Sequence, residues 1–197
     1  PKAGFVSDGG NYEIGSEVKL VASSKPGYTF IGWYEGVTKV CDTLTFTFNA
    51  EKNVTYTAKW SANADTAYTV EYYLENVNDS GYTLHLTEAL LGVTDTTAEA
   101  EIKTFEHFTY NAEKSKVIGN INGNGILVLE VYYDRETHTV SVDSDLGLVI
   151  GEGRYKYGES VTLFANPYLG YEFVGWYCGE TLVSSDITCT VTITSDI

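Results

Sequence analysis

Nucleophilic catalysis would need a serine or cysteine of this sequence beside a histidine or another base. The histidines and cysteines are few and far apart: His85, His107, His138, Cys41, Cys178 and Cys189. A nucleophile needs a base within hydrogen-bond reach and a third group that orients the base, and no spacing suggests such a trio. His85 alternates with two leucines and is expected on the solvent side of a strand, while the other two imidazoles are expected at solvated element ends. We therefore expect a protein that is not an enzyme.

The sequence also gives no specific signal for catalysis by paired carboxylates or for metal binding. This acidic chain offers many carboxylate pairs, such as Asp143 with Asp145, so that no single pair indicates glycoside chemistry. The stretches NVNDSG (76–81) and DSDLG (143–147) place oxygen-bearing side chains beside glycine, as calcium loops do. Turn-forming Asn and Asp explain both stretches without an ion. We predict no metal and no cofactor, with calcium in these loops left as an alternative.

The cysteines form no CxxC pair and no ligand-like spacing with the histidines. Cys178 and Cys189 could face each other across a hairpin and form a disulfide. Alternatively, Cys189 fits a small buried thiol. Both interpretations stay open at the level of sequence.

Sixteen tyrosines favour a different kind of site, because flat rings stack on sugar faces and Tyr is common at interfaces. The pair at 72–73 and the pair at 132–133 each direct one ring inward and its neighbour outward. Tyr73, with the outward ring of Tyr132 or Tyr133, could line a platform for a host glycan or glycoprotein. Half-exposed tyrosines are also common in small sheets, so a purely structural role is the alternative.

Charge and hydropathy exclude several classes of partner. With 27 acidic and 12 basic residues the formal net charge is -15, which repels nucleic-acid phosphates and anionic lipid head groups. No stretch approaches the roughly 18 consecutive apolar residues of a membrane span. The sequence begins at Pro1 and contains no methionine. We therefore expect a piece of a longer protein, whose targeting or anchoring segments lie outside it.

The fold that positions these residues is built on a duplicated segment. GYTFIGWY (27–34) returns as GYEFVGWY (170–177), and the match extends in both directions at a shift of 143 positions. A structural module must carry its core signature once per copy, whereas a catalytic motif is seldom duplicated. We interpret the shared glycines and aromatic residues as a packing signature: Gly27, Tyr28, Phe30, Gly32, Trp33, Gly170, Tyr171, Phe173, Gly175 and Trp176.

Alternating apolar and polar residues predict short strands in each copy. In the first copy they are EVKLVAS (17–23), TLTFTF (43–48) and NVTYTAKW (53–60). The octapeptide is apolar on both faces, with Phe30 directed to one side and Trp33 to the other, which predicts a central strand that is covered twice. A glycine within such a strand indicates a close approach by backbone or by a ring.

A different unit, 68–136, follows the small polar stretch SANADTA (61–67), which we interpret as a linker. It begins with two predicted strands. Thr96 and Glu99 then have capping-box spacing, and Ala98, Ile102 and Phe105 form one apolar stripe, which predicts a short helix. Two further strands flank the sequence NGNG, a strong signal for a hairpin turn.

The resulting prediction is three modules, 1–60, 68–136 and 137–197. The first copy has no counterpart of the opening strand of the second, and the second has no counterpart of the closing strand of the first, because Ile197 aligns with Val54. Strand edges would therefore be exposed. Such edges could pair with a neighbouring molecule, so that strand-edge self-association is expected.

These motifs resemble the Listeria-Bacteroides repeat, or internalin B-repeat family, including its divergent form. The similarity lies in a G-x-x-V-x-L-x-A strand (15–22), GYxFxGW (27–33 and 170–176) and T-x-T-A-x-W (55–60). The central unit is similar to related repeats found with mucin-binding-type domains. The resemblance implies tandem small β-grasp-like modules. Together with the short helix predicted in the central unit, this gives a β-rich α+β fold class with mainly β outer modules. The resemblance also implies an extracellular bacterial surface protein, often an adhesin.

The resulting functional hypothesis is a non-enzymatic stalk or presentation segment of an adhesin-like surface protein, attached to the cell wall or surface through other regions. Two alternatives stay open. One is direct binding of a host glycan or glycoprotein, and the other is an accessory region of a surface enzyme.

Overall fold

The computed structural model describes residues 2–7 and 9–197, and all regular secondary structure in them is β-strand. The first repeat contains β1 (Gly4–Val6), β2 (Glu17–Ser24), β3 (Tyr28–Glu35), β4 (Thr38–Cys41), β5 (Thr45–Asn49) and β6 (Tyr56–Ala62). The central region contains β7 (Thr66–Glu75), β8 (Tyr82–Gly92), β9 (Thr97–Glu99), β10 (Phe108–Lys116), β11 (Ile118–Asn120) and β12 (Leu127–Arg135). The second repeat contains β13 (Thr137–Val140), β14 (Gly147–Ile150), β15 (Gly153–Lys156), β16 (Ser160–Pro167), β17 (Trp176–Cys178), β18 (Thr181–Ser184) and β19 (Thr188–Thr192).

The β-rich part of the predicted fold class is confirmed, but the α+β class is wrong. The described residues contain no helix, so the β-grasp-like module with a central helix is not formed. The part of the chain that is described accordingly has no apolar helix of membrane-spanning length.

The chain divides into two compact units. One comprises Pro1–Glu71, Thr87–Glu101 and Lys116–Glu130, and the other comprises Tyr72–Leu86, Ile102–Ser115 and Val131–Ile197. Each repeat therefore belongs to a unit that also contains part of the central strands. The division into three modules stays a prediction.

The first repeat is built from two three-stranded sheets, with strand orders β1-β2-β5 and β4-β3-β6. In the first sheet, Val18 lies opposite Phe48 across the antiparallel β2–β5 pair. Alternation along β2 buries Val18 and Ala22, at 2% and 3% exposure, while the intervening residues face solvent or are half-buried. The predicted period of two thus produces one covered face.

A bulge in β3 changes the predicted faces of the octapeptide. The register against β6 shifts between Phe30 and Gly32, so that Phe30 lies opposite Trp60 while Trp33 lies opposite Ala58. Trp60 and Ala58 are two residues apart and share a face, and therefore Phe30 and Trp33 do as well. Their rings meet edge to face at 6.1 Å. The prediction that they point to opposite sides was wrong.

Gly32 accounts for the bulge. Its φ is +149°, and a Cβ there would lie 2.6 Å from the carbonyl oxygen of Cys41 on β4. Gly175 in the second repeat has a φ of +148°, and a Cβ would meet Leu182 and Ser184 on β18. Only glycine combines this conformation with so close a neighbouring strand.

The second repeat distributes its strands over three smaller sheets instead of two. Its sheets are β14-β16-β19, β13-β15 and β17-β18. Val140, Val161, Leu163, Trp176 and Ile193 are among the buried residues of one hydrophobic cluster. Of the octapeptide only Trp176 and Tyr177 lie in a strand, β17, and residues 171–175 have no regular structure. The central strand predicted for both copies is thus present in the first copy, where β4 and β6 flank β3.

The central region is a four-stranded sheet of order β10-β12-β7-β8, with β9 and β11 paired separately. The linker is shorter than predicted, since β6 ends at Ala62 and β7 begins at Thr66. The NGNG segment forms a turn, in which Gly125 N donates to Asn122 O at 3.0 Å. However, β11 before this turn pairs with β9, so that the two flanking strands are not hairpin partners.

The predicted helix after Thr96 is replaced by strand β9. The Thr96 hydroxyl donates to the carbonyl of Val93 at 2.7 Å, and so it does not cap a helix through a main-chain N–H. Ala98 and Ala100 are both buried at 5% exposure, and the residues around them are exposed. This alternation has a period of two, and β9 satisfies its backbone groups on β11 from residue 97 to 99.

Candidate functional site

Three tyrosines form a compact group that we call the tyrosine cluster: Tyr73, Tyr82 and Tyr132. The rings of Tyr73 and Tyr132 stack at 4.8 Å with an interplanar angle of 13°. Tyr82 meets Tyr132 edge to face at 5.1 Å. The Lys114 ammonium lies over the rings of Tyr82 and Tyr132 at 4.5 and 5.3 Å. The cluster therefore presents half-buried aromatic surface beside a cation.

A carboxylate fixes one ring of the tyrosine cluster. The Tyr82 hydroxyl donates to Asp134 Oδ1 at 2.5 Å, and Asn111 Nδ2 donates to both Asp134 oxygens at 2.9 and 2.8 Å. Burial, followed by this hydrogen bond to the carboxylate, raises the pKa of Tyr82 to about 12. The phenol is therefore a neutral donor throughout the physiological pH range.

The three residues named as a possible ligand platform separate into two groups. Tyr73 and Tyr132 come together in the tyrosine cluster, whereas Tyr133 lies in the core at 1% exposure, edge to face with Phe105 at 4.9 Å. Tyr82 and Lys114 were missed. Their alternating strand patterns place them on a face, but only the strand order brings them to Tyr132. Ligand binding by this surface stays a prediction.

Each of the three histidine rings lies against an aromatic ring. His85 is exposed and meets Phe105 edge to face at 5.1 Å. His107 stacks on Tyr157 at 3.6 Å. His138 lies inside β13, where its side chain is only 22% exposed, and so the expectation of a solvated imidazole at an element end was wrong for it.

The remaining candidate residues are the three cysteines and the acidic pair at 143 and 145. Cys41, Cys178 and Cys189 are free thiols; Cys178 is exposed and Cys189 is buried at 7% exposure. Asp143 and Asp145 are exposed in the segment between β13 and β14. Within residues 2–7 and 9–197, no group of three or more His, Cys, Asp or Glu side chains could hold a metal ion.

The oxygen-rich loop at 76–81 binds a cation that the chain itself supplies. Lys156 Nζ donates to the carbonyl oxygens of Asn76 and Asp79 at 3.0 and 2.6 Å. The Asp79 carboxylate accepts hydrogen bonds from Asn76 Nδ2 and Gly81 N, which lower its pKa. The loop thus has the geometry of an Asx turn with an ammonium group on its carbonyls.

The first junction joins the first repeat to central strands of the same unit. Asn63 N donates to Gly27 O at 2.8 Å, and Thr94 N donates to Asn63 O at 2.9 Å. The Tyr28 hydroxyl donates to Asp95, which also pairs with Lys2 at 2.9 Å; these two contacts, the Tyr28 bond first, lower the pKa of Asp95.

The first junction is also tightly packed. A Cβ at Gly123 would lie 2.0 Å from the carbonyl oxygen of Pro26 and 3.0 Å from the Cα of Gly27. Two stretches of backbone therefore touch without an intervening side chain, which requires glycine at this point.

The second junction joins the second repeat to central strands of its unit. Lys156 Nζ pairs with Glu75 Oε1 at 2.8 Å, and the two side chains are only 22% and 16% exposed. Glu75 Oε2 accepts from Arg135 N at 2.9 Å, and Tyr157 N donates to Glu136 O at 2.7 Å. The His107 ring also stacks on Tyr157. An ion pair, backbone hydrogen bonds and a ring contact therefore hold the second junction together.

Comparison with known proteins identifies the two outer segments. A search of curated proteins and of solved structures found no significant match. The family model described as the divergent InlB B-repeat domain matches residues 2–64 and 138–197, which together form more than half of the chain. These ranges coincide with the two copies inferred from the duplicated octapeptide, and the central region lies outside them, so its likeness to mucin-binding-type repeats stays a prediction. The chain belongs to the divergent InlB B-repeat family.

Proposed function

We propose that this chain is a non-enzymatic repeat region of a bacterial cell-surface protein and acts as a stalk that presents another region of that protein. Its family is the first support, because InlB-type repeat domains occur in bacterial surface proteins. The acidic composition, with a formal net charge of -15, suits a solvated protein outside the cell.

The observation that carries this proposal is the construction of the two junctions. A stalk must limit bending where its modules meet, and flexible linkers of Gly and Ser do not do so. Here only residues 63–65 separate β6 from β7, and only Glu136 separates β12 from β13. Each short link is reinforced by contacts away from it, Tyr28 with Asp95 in one unit and Lys156 with Glu75 in the other.

Nitrogen-15 relaxation of the full chain tests the stiffness of the second junction. We expect β10 and β16 to report the same rotational correlation time, because the junction holds them together. A double variant, Lys156→Ala with His107→Ala, removes the ammonium and the stacked ring and should let the two strands relax separately. Lys52→Ala, at an exposed pair in the first repeat, is the matched control. Independent motion in the unaltered chain would contradict the stalk function.

Direct ligand binding is a second candidate function, and the tyrosine cluster favours it. Half-buried stacked rings beside Lys114 offer the aromatic surface and the donor that sugar recognition uses. A glycan array and a mucin pull-down with the full chain separate the two functions. Saturable binding that Tyr73→Ala abolishes, and that Tyr168→Ala at an exposed turn preserves, would favour adhesion over a stalk.

A further inference from the structure

Strand β8 is an edge strand of the central sheet. It stands last in the strand order β10-β12-β7-β8, and its neighbour in this sheet is β7. It is eleven residues long, and most of its residues are exposed. A long exposed edge is a place where another strand can be added. The part of β8 that lies within the second compact unit, residues 82–86, is the candidate site.

The main-chain groups of this segment alternate between β7 and the open side. Gly81 O accepts a hydrogen bond from Asn76 N at 2.9 Å, so that residue 81 directs its main chain across the hairpin. Successive residues of a strand direct their N–H and C=O groups to opposite sides. Tyr82, Leu84 and Leu86 therefore direct theirs to the outer side, where the described residues provide no further strand of this sheet.

The side chains of the same three residues form an apolar stripe. Tyr82, Leu84 and Leu86 share one face because side chains alternate with a period of two. The two leucines are 47% and 36% exposed. The polar residues Thr83 and His85 lie on the opposite face. The outer edge thus combines available backbone groups with exposed leucine side chains.

The two edges of the central sheet differ in their protection. β10 lies at the other edge and carries the exposed charged residues Glu113 and Lys114. Charged side chains, lysine above all, are a usual means by which proteins prevent strand edges from pairing. Residues 82–86 contain no Lys, Arg, Asp, Glu or Pro. One edge is therefore blocked by charge, whereas the other is open to pairing.

A second copy of the chain fits this open edge. Two identical antiparallel strands pair about a two-fold axis, which sets the same surface against itself. With the axis at Leu84, this residue lies opposite its own copy, Tyr82 lies opposite Leu86, and Thr83 lies opposite His85. The residues that direct their main chains outward then exchange hydrogen bonds. Every pair along the stripe is apolar, and such cross-strand pairs stabilise a sheet.

The neighbouring registers fit this edge less well. An axis at His85 would place Tyr82 opposite Glu88, and an axis at Leu86 would place Leu84 opposite Glu88. Either one sets a carboxylate against the apolar stripe. An axis at Thr83 would bring residues 80 and 81, which precede β8, into the pair. The register about Leu84 alone keeps the stripe together within residues 82–86.

We propose that residues 82–86 are a self-association site, at which two copies of this chain pair as antiparallel strands about a two-fold axis at Leu84. Such short segments bury less than the roughly 1,200 Å² of a stable complex, so that the pair is weak between free chains. Chains held side by side on a surface have an effective concentration of about 1 mM, at which a weak contact suffices. The site thus joins neighbouring chains laterally. It does not depend on the stalk function, since a chain that bends at its junctions carries the same edge.

Sedimentation equilibrium of the full chain, at concentrations up to about 1 mM, measures the association. We expect a monomer–dimer equilibrium. Nitrogen-15 spectra over the same concentrations should show slower amide exchange at Tyr82, Leu84 and Leu86 as the dimer forms. The amides of Thr83 and His85, which face β7, should not change. A chain that stays monomeric at this concentration, or protection confined to other residues, would overturn the proposal.

A charge at Leu84 tests the register. Leu84→Lys places two ammonium groups opposite each other, and Leu84→Glu places two carboxylates there, so that each variant alone should be monomeric. An equimolar mixture of the two variants should regain the dimer, because the axis then sets opposite charges against each other. The side chain is half exposed, and an unchanged Tm of each variant would show that the fold is kept.

Leu182→Lys is the matched control. Leu182 is 52% exposed on β18, which pairs with β17 alone, so that the same charge is introduced at a different strand edge of the same unit. This variant should dimerise as the unaltered chain does. Loss of the dimer in Leu182→Lys but not in Leu84→Lys would refute pairing at β8, and so would a mixture of the two Leu84 variants that stays monomeric.

Discussion

Lys156 offers the sharpest test of the second junction. Its Nζ reaches Glu75 Oε1 at 2.8 Å and two carbonyl oxygens of the loop at 76–81, and its side chain is 22% exposed. Lys156→Met keeps the length of the side chain and removes its charge. We predict that this change lowers the local free energy of unfolding of the second repeat by about 2 kcal/mol.

The magnitude follows from what each partner loses. Removing one member of a fully buried ion pair costs about 3–5 kcal/mol, because the other charge stays buried without compensation. Glu75 is 16% exposed, and its Oε2 still accepts from Arg135 N at 2.9 Å, which reduces the cost. The loop carbonyls can bind water once the ammonium is gone, since residues 78–80 are exposed. The result lies below the range for a buried pair and above that for a surface pair.

Hydrogen exchange measured by mass spectrometry at several urea concentrations is the assay, because it reports the free energy of opening separately for each segment. Lys52→Met is the matched control: its pair with Glu35 is as short, at 2.7 Å, but the two side chains are 65% and 41% exposed. That change should cost about 0.5 kcal/mol or less. Equal losses for the two variants would show that burial at the junction does not strengthen the pair, and the reasoning would fail.

Three further predictions concern the repeats, the tyrosine cluster and the first junction. Trp33→Ala and Trp176→Ala should each cost about 3–5 kcal/mol, because both indoles are buried, and hydrogen exchange should locate each loss in its own repeat. Tyr82→Phe should flatten the pH dependence of stability measured by urea unfolding. The pKa of Tyr82 is raised from 10.0 to about 12, so its contribution is complete below pH 10 and is lost as pH rises through 12. Gly123→Ala should speed amide exchange at the first junction, because a Cβ there would lie 2.0 Å from a carbonyl oxygen of the turn before β3.

The alternation of apolar and polar residues predicted most strands of the repeats. It failed at residues 96–105, where the apolar residues fit both a helix and a strand. Between residues 96 and 105, Ala98, Ile102 and Phe105 fit a helix, whereas Ala98 and Ala100 fit a strand. Pairing with β11 decides for the strand, and that pairing is with a segment about twenty residues later. A single short window carries no information about such a partner, so that tertiary structure overrides local preference here.

The face assignment of the octapeptide failed for a different reason. A bulge inserts one residue, and after it every side chain changes sides relative to simple alternation. Gly32 was the available signal, since a glycine inside an apolar strand indicates a bulge or a close approach, but it does not say which. The contact of Phe30 with Trp33 is therefore a result that only the register against β6 supplies.

The candidate site depends on strand order even more strongly. The tyrosine pair at 72–73 predicted one outward ring, and so did the pair at 132–133, but the stack of Tyr73 on Tyr132 requires β12 beside β7. The loop at 76–81 carried the pattern of a cation site, and its carbonyls do bind a cation, Lys156. Lys156 lies in β15, far from the loop in sequence. No motif around it predicts this contact.

The two repeats together explain why one octapeptide has two structures. Within the described residues β3 is flanked by β4 and β6, whereas β17 pairs with β18 alone. In the first repeat Val18, Leu20 and Trp33 line a groove of about 610 Å³. The residues aligned with these three pack in one cluster with Val140 of β13. The partner strands, and not the octapeptide alone, therefore decide how much of it becomes a strand.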